Sequence, residues 1–315
     1  MRSILLPGLA LSAALAGCGG GDGESNADAA ARAEQSARNA YEREIRAWRD
    51  ERVERLMRPD GFLSLVGLHW VGPGSTFVGS AKDNGTRLSL GPPQVGMLHL
   101  EKDGRARLDI ARGAEIWVDG EPAKGSVELV SDARGKPTVV SFNRGDASFL
   151  LIERSGRHAL RVRNAMARTR TSFPGIDYFD INPDFRFEAR FEAHPPGKTM
   201  DIVNMLGLVE PMANPGRVFF EKDGVTYSLE ALDEGDGRLF FVFADRTSGH
   251  ETYAASRFVY ADPAGPEGTT VLDFNRAYNP PCAFTAYSTC PMPPPENRLD
   301  LRIEAGEKKP LPFPQ

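Results

Sequence analysis

The chain has 315 residues, 41% of them hydrophobic and 26% charged, which excludes wholesale disorder and suggests about two globular units. Lys and Arg total 38 against 43 Asp and Glu, and this net charge of −5 argues against nonspecific nucleic-acid binding, which needs a basic surface to release counterions. With 32 Gly and 24 Pro the chain is loop-rich, so the expected fold is mostly β: two antiparallel β-sandwich-like units preceded by one N-terminal amphipathic helix.

Residues 1–17 have the build of a secretory signal peptide, with Arg2, an apolar stretch over 4–16 and small residues ahead of a cut. The stretch is too short for a spanning helix, which needs about 20 apolar residues. Leu15-Ala16-Gly17-Cys18 resembles the bacterial lipobox. That resemblance implies a mature chain starting at a lipidated Cys18 and attached to a membrane by acyl chains; a plain signal peptide with an incidental Cys is the alternative. No Asp follows Cys18, so the resemblance further implies the cell envelope and, where two membranes exist, the outer one. Cleavage removes Arg2 and leaves 37 basic against 43 acidic side chains, or −6, so lipid rather than charge would hold the body at an anionic surface. Residues 18–27, opening Cys18-Gly19-Gly20-Gly21, read as a flexible tether.

A helix is expected within residues 28–60, with Asp28 as N-cap and Pro59-Asp60-Gly61 as its stop. Tyr41, Ile45, Trp48, Arg52 and Leu56 recur at helical spacing and define its packing face. Glu42, Arg43, Glu44, Arg46 and Arg49 are read as solvated ion pairs. From 61 to 165 short alternating runs are punctuated by Asp103-Gly104, Asp119-Gly120 and Ser155-Gly156, the residues a type I′ hairpin turn favours. Thr76-Phe77-Val78-Gly79-Ser80 with Asn84 and Gly85-Thr86-Arg87-Leu88-Ser89-Leu90 resembles the opening of a forkhead-associated domain. With Ser80 where that family has Arg, the likeness implies sandwich topology rather than phosphothreonine recognition.

A soft boundary falls near residues 165–171, and a second β unit is expected over 172–308. Phe185 to Phe191 alternates, Asp223-Gly224 marks another hairpin, and Leu239 to Phe243 is apolar on both faces, as a central strand requires. Polar residues then crowd three segments: Asp245 to Tyr253, Asp273 to Cys282, and Cys290 to Leu299. Prolines between Pro280 and Pro295 stiffen that region, and strand ends with rigid loops are where sites are usually built. Asp245-Arg-Thr-Ser-Gly, Thr252-Tyr253, Arg257-Phe258, Asp273-Phe-Asn-Arg-Ala-Tyr-Asn-Pro-Pro-Cys282, Cys290-Pro and Glu296-Asn-Arg-Leu through Glu307 together resemble a bacterial and archaeal family known as domain of unknown function (DUF) 1684. The likeness runs from about Gly113 to Glu307 and implies a family without implying an activity.

The leading expectation is a lipid-anchored envelope protein that binds a small polar or anionic ligand through Asp245, Thr247, His250, Tyr253, Arg257, Asp273, Asn275, Tyr278 and Asn279. A hydrolase is the rival, with His250, Cys282, Asp245 and Asp273 as catalytic candidates; a scaffold that recruits protein partners through the helix is the third reading. Cys282 and Cys290 are disulfide candidates in an oxidising compartment, closing a loop of about nine residues worth roughly 2.5 kcal/mol, with buried thiols as the alternative. His69, His99, His158 and His194 sit in strand-like or Pro-rich surroundings and read as structural. No metal or cofactor is expected: His250-Glu251 lacks the second His of a zinc-peptidase motif, and Phe185 and Phe191 break the calcium-loop pattern begun by Asp180, Asn182 and Asp184.

Overall fold

The computed structural model describes residues 26–313. The signal segment, Cys18 and most of the tether lie outside the described residues. The fold is mostly β, as composition predicts: one long helix followed by antiparallel sheets. From Glu42 onward the described residues form one compact unit, and the preceding part of the helix belongs to another.

Helix α1 runs Asn26–Met57, which places Asp28 inside the first turn rather than at the cap. Residues 27–40 are exposed. Further along, Ile45, Arg52 and Leu56 are buried on the expected face, whereas Glu44 and Arg49 are more than solvated charges. Glu44 accepts from Arg276, and Arg49 donates to the Phe179 carbonyl at 2.9 Å while stacking 4.3 Å from the Tyr178 ring.

The first β region contains β1 (Leu65–Val71), β2 (Gly74–Gly79), β3 (Thr86–Arg87), β4 (Gly96–Leu100), β5 (Ala106–Ile110), β6 (Ile116–Val118), β7 (Glu121–Ala123), β8 (Ser126–Leu129), β9 (Val139–Phe142), β10 (Ala147–Arg154) and β11 (Arg157–Asn164). They form a six-stranded sheet, β1-β11-β10-β9-β6-β7, and a five-stranded sheet, β3-β2-β4-β5-β8, whose only parallel pair is β2–β3. Val78, Leu98 and Leu108 of one sheet meet Phe142, Phe149, Leu160 and Val162 of the other in a shared core, which makes the pair a sandwich. Asp119-Gly120 and Ser155-Gly156 both take positive φ, as type I′ turns require. At Asp103-Gly104 only Gly104 does, because the intervening Glu101–Arg105 loop closes through a Glu101 N–H to Arg105 C=O bond.

After the one-turn α2 (Arg168–Thr171) come β12 (Arg186–Ala193), β13 (Thr199–Val203), β14 (Val209–Lys222), β15 (Val225–Asp233), β16 (Leu239–Phe243), β17 (Arg257–Ala261) and β18 (Thr269–Asp273). Their order is β17-β16-β15-β14-β12-β18, with β13 paired to the first half of β14. The register of β14 shifts between Ala213 and Gly216. Gly216 is obligatory there, since a Cβ would lie 2.4 Å from the Phe191 ring. β16 is buried on both faces as its sequence predicts. Leu239, Phe241 and Phe243 enter one core with Val259 and Phe274, while Phe240 and Val242 enter a second with Ile202, Phe258 and Cys290. This period-two division puts Phe240 and Phe258 on the face that becomes the floor of a cleft.

Candidate functional site

The nine side chains expected to share a ligand site do not converge on one cleft. Asp245, Thr247 and Arg257 are buried and bonded within the protein. The Asp245 carboxylate accepts from the Ile303 N–H at 2.7 Å and the Thr247 hydroxyl at 2.8 Å, and lies 3.5 Å from Arg257. Arg257 donates to the carbonyls of Ile303, at 3.0 Å, and Ala305. Complete burial pushes the guanidinium pKa down, an effect that Asp245 opposes. Asn275 exchanges bonds with the Asn182 backbone and donates to Asp273. Asn279 is held through its N–H to Glu307 at 2.7 Å and its side-chain amide to the Lys308 carbonyl. These groups stitch the C-terminal segment to the sheet, which is why so many polar residues crowd there.

Nor is a catalytic constellation formed. His250 is exposed in a shallow surface depression with Arg246, Asp300 and Arg302. No hydrogen bond joins it to Cys282, Asp245 or Asp273, so the nucleophile–base contact that a hydrolase needs is missing among the described residues. Tyr253 donates to the Cys282 carbonyl at 3.3 Å, a loop contact. The remaining histidines have structural surroundings: His99 bonds Asp109 at 2.8 Å, His194 bonds Glu230 at 2.8 Å, His158 lies 3.2 Å from Glu153, and burial lowers the pKa of His69.

Cys282 and Cys290 are free thiols that face each other. The Cys282 N–H points at the Cys290 sulfur at 3.1 Å, the Cys290 N–H at the Cys282 sulfur at 3.2 Å, and the Ser288 hydroxyl at the Cys282 sulfur at 3.0 Å. Donation from the Cys290 thiol, aided by Ser288 and the Arg161 charge, pulls the Cys282 pKa below its ordinary range. The same contact and burial push Cys290 upward. Among the described residues no group of three or more His, Cys, Asp or Glu could hold a metal ion.

Two of the nine residues, Asp273 and Tyr278, line a large cleft between the second half of α1 and the C-terminal sheet, with a volume of about 840 Å³. Its floor is an aromatic stack. Phe240 and Tyr260 lie 4.8 Å apart and close to parallel, Tyr260 and Tyr278 are 6.3 Å apart, and Phe258 meets Phe240 edge-on at 5.0 Å. Trp48 from the helix leans toward Tyr278 at 6.5 Å.

Arginines surround this floor. Arg238 sits 4.2 Å over the Tyr260 ring and is steadied by Asp236, while Arg52 sits 4.6 Å over Tyr278 and donates to Glu307 at 2.9 Å. Arg55, Arg186 and Arg276 complete the basic lining, against the carboxylates Glu44, Glu234, Asp262 and Asp273. Tyr260 donates to Glu234. Burial raises the pKa of both phenols, Tyr278 to about 12, so they remain protonated donors at neutral pH.

A smaller cavity of about 240 Å³ shares Phe62, Glu234, Phe258, Pro281 and Pro291 with the cleft. Arg161, Asn204, Ser288 and Cys290 reach its wall. Sequence reading missed this part. Arg161 and Arg163 alternate with Leu160 and Val162 in β11 and look like a solvent face. Leu160 and Val162 do enter the sandwich core, but Ala159, on the Arg161 side, packs with Leu150 and Ile152 in a separate buried cluster.

Residues 171–308 match the family described as "Protein of unknown function (DUF1684)", and this C-terminal segment belongs to it. The match begins later than the Gly113 expected from sequence. The chain is also similar to an uncharacterized protein of Haloarcula marismortui known from a solution structure: 30% identity, covering 44% of this chain and 78% of that one, with a TM-score of 0.37. No curated protein matches the chain.

Proposed function

We propose that this is a lipid-anchored envelope protein that binds a small anionic ligand carrying a flat or apolar portion. The observation that carries this reading is the aromatic-floored cleft rimmed by five arginines. Its volume of about 840 Å³ lies within the range typical of small-molecule sites. Stacked rings offer a broad apolar platform, and the half-exposed Arg238 guanidinium over the Tyr260 face can present its remaining N–H groups to carboxylate or phosphate oxygens, whereas Arg52 over Tyr278 is held by Glu307 and the Asn279 carbonyl. Phenolic hydroxyls that stay protonated add donors. The Leu15-Ala16-Gly17-Cys18 sequence supports the anchor.

Trp48 is a built-in reporter. Full-length protein titrated with aromatic carboxylates and nucleoside phosphates should show a saturable change in tryptophan emission that Trp48→Phe removes and Arg238→Ala weakens. A response unchanged in both variants, or no response to any member of the panel, would refute the cleft. For the anchor, incorporation of labelled palmitate should vanish in Cys18→Ala; labelling that persists would place the lipid elsewhere.

A further inference from the structure

We infer that the Arg161 cavity is an oxyanion pocket, receiving the carboxylate or phosphate group of the ligand whose flat portion lies in the aromatic cleft. The inference rests on the reading of that cleft as a ligand site and adds the chemistry that would orient the ligand. Arg161 is only 8% exposed, yet its guanidinium makes no hydrogen bond or ion pair among the described residues, and its Nε is buried without a partner. A buried charge in that condition is unfavourable unless something completes it. The comparably buried Arg52 and Arg257 are both bonded, one to Glu307 and the other to two backbone carbonyls and Asp245; the Arg257 Nε also lacks a partner, so what sets Arg161 apart is that its whole guanidinium makes no bond.

A second group in the same cavity is incomplete. Asn204 is 5% exposed, and its amide nitrogen has no partner. Its carbonyl oxygen accepts from the N–H groups of Leu206 and Leu208 at 2.9 and 3.1 Å, so the turn fixes the amide and the NH₂ cannot exchange places with the oxygen. The Ser288 hydroxyl lies at the same wall.

The acids nearby do not neutralise Arg161. Glu210 accepts from the Ser155 N–H and hydroxyl, Glu234 accepts from Tyr260, and Asp132 is gripped by Arg154 at 2.8 and 3.1 Å. The thiols of Cys282 and Cys290 feel the guanidinium charge without hydrogen-bonding to it. Burial, with repulsion from Arg154 and Arg163, outweighs the opposing pull of Asp132 and Cys290 and pushes the Arg161 pKa down to about 10, the direction a bound anion would oppose. A cation fork and an NH₂ that line one cavity without an acceptor form a donor set suited to one oxyanion group, and the Ser288 hydroxyl beside them is already engaged by the Cys282 sulfur. Phe62, Glu234, Phe258, Pro281 and Pro291 line both this pocket and the cleft, so the two lie side by side.

The test is thermal unfolding and calorimetry of the full-length protein in phosphate, sulfate or acetate, with chloride at equal ionic strength as reference. At least one oxyanion should raise the Tm of the wild type. Arg161→Met should abolish that shift while melting no lower than wild type in chloride, since it removes an uncompensated charge. Asn204→Asp keeps the acceptor for the turn and puts a carboxylate in the cavity; it should stay folded and bind the effective anion about tenfold or more weakly.

The inference is overturned if no oxyanion shifts the wild type, if the shift survives Arg161→Met, or if Arg161→Met melts far lower in chloride, which would make the guanidinium structural. The Trp48 titration separates this from the cleft reading. An intact tryptophan response without an anion shift sinks the pocket alone, and an Arg161-dependent shift without any tryptophan response sustains the pocket and sinks the cleft.

Discussion

Two regions of the molecule hold buried polar side chains and differ in whether those side chains complete one another. In the first, Asp245, Arg257, Glu307, Arg52, Asn279 and Asn297 form a largely closed set, in which the Arg257 Nε and the Asn279 Oδ1 are the atoms left without a partner. Asn297 accepts from the Glu230 N–H at 2.7 Å and donates to the carbonyls of Glu230 and Val242, both at 3.0 Å, so the segment after Pro294 is bound to β15 and β16. In the second, around the cleft and the Arg161 cavity, rings stack and cations crowd, while the guanidinium of Arg161 and the amide of Asn204 lack acceptors. A closed set holds the fold together; an open one leaves room for a ligand.

The largest effect expected from this contrast is at Arg257. Arg257→Ala leaves the Asp245 carboxylate buried beside unpaired carbonyls and should destabilise the protein by about 3–5 kcal/mol in urea unfolding; a loss below about 1 kcal/mol would show that the set is not closed. Asn297→Ala comes next, with about 2–3 kcal/mol lost, because backbone groups of two central strands lose their partners. The same urea experiment on Arg238→Ala should move stability by less than about 1 kcal/mol, since its ion pair with Asp236 is exposed. That variant should instead weaken ligand binding, which reverses the order seen at Arg257.

Acid should act on the closed region first. Glu230 is buried, and burial raises its pKa, but bonds from His194, Asn214 and Arg217 outweigh that and leave it below the ordinary carboxyl value. A carboxyl whose folded pKa is lowered contributes stability above its unfolded pKa of about 4.3, and that contribution is lost as pH falls through the folded value. Urea midpoints should therefore drop as pH is lowered through this acid range, and Glu230→Gln should flatten that drop; an unchanged slope would reassign the acid sensitivity. The smallest effect concerns the thiols. Alkylation of Cys282 should reach its plateau rate at lower pH than a free cysteine does, and Ser288→Ala should move the profile back toward higher pH.

Much of the architecture could be read directly from residue order. The packing face of α1, the Asp119, Ser155 and Asp223 hairpins, and the doubly buried β16 follow from local periodicity and turn chemistry, which need only neighbouring residues to be expressed. Site residues were legible only in part. Asp273 and Tyr278 do line the cleft, but Asp245, Arg257, Asn275 and Asn279 were grouped with them because they share a crowded stretch of chain, and they bond inward. Trp48, Arg238, Tyr260, Arg161 and Asn204 carry no local mark at all.

By itself the sequence determined a β-rich chain led by an amphipathic helix, its hairpin positions, its acidic balance and the stretch that matches the DUF1684 family. The tertiary structure decided which polar groups find partners. Hydrogen-bond completion depends on residues far apart in sequence, such as Arg52 with Glu307 or Glu230 with Asn297, and burial of Arg161 arises only where the outer face of β11 is covered by the later part of the chain. Whether a charge is satisfied or waiting is a property of that assembled neighbourhood.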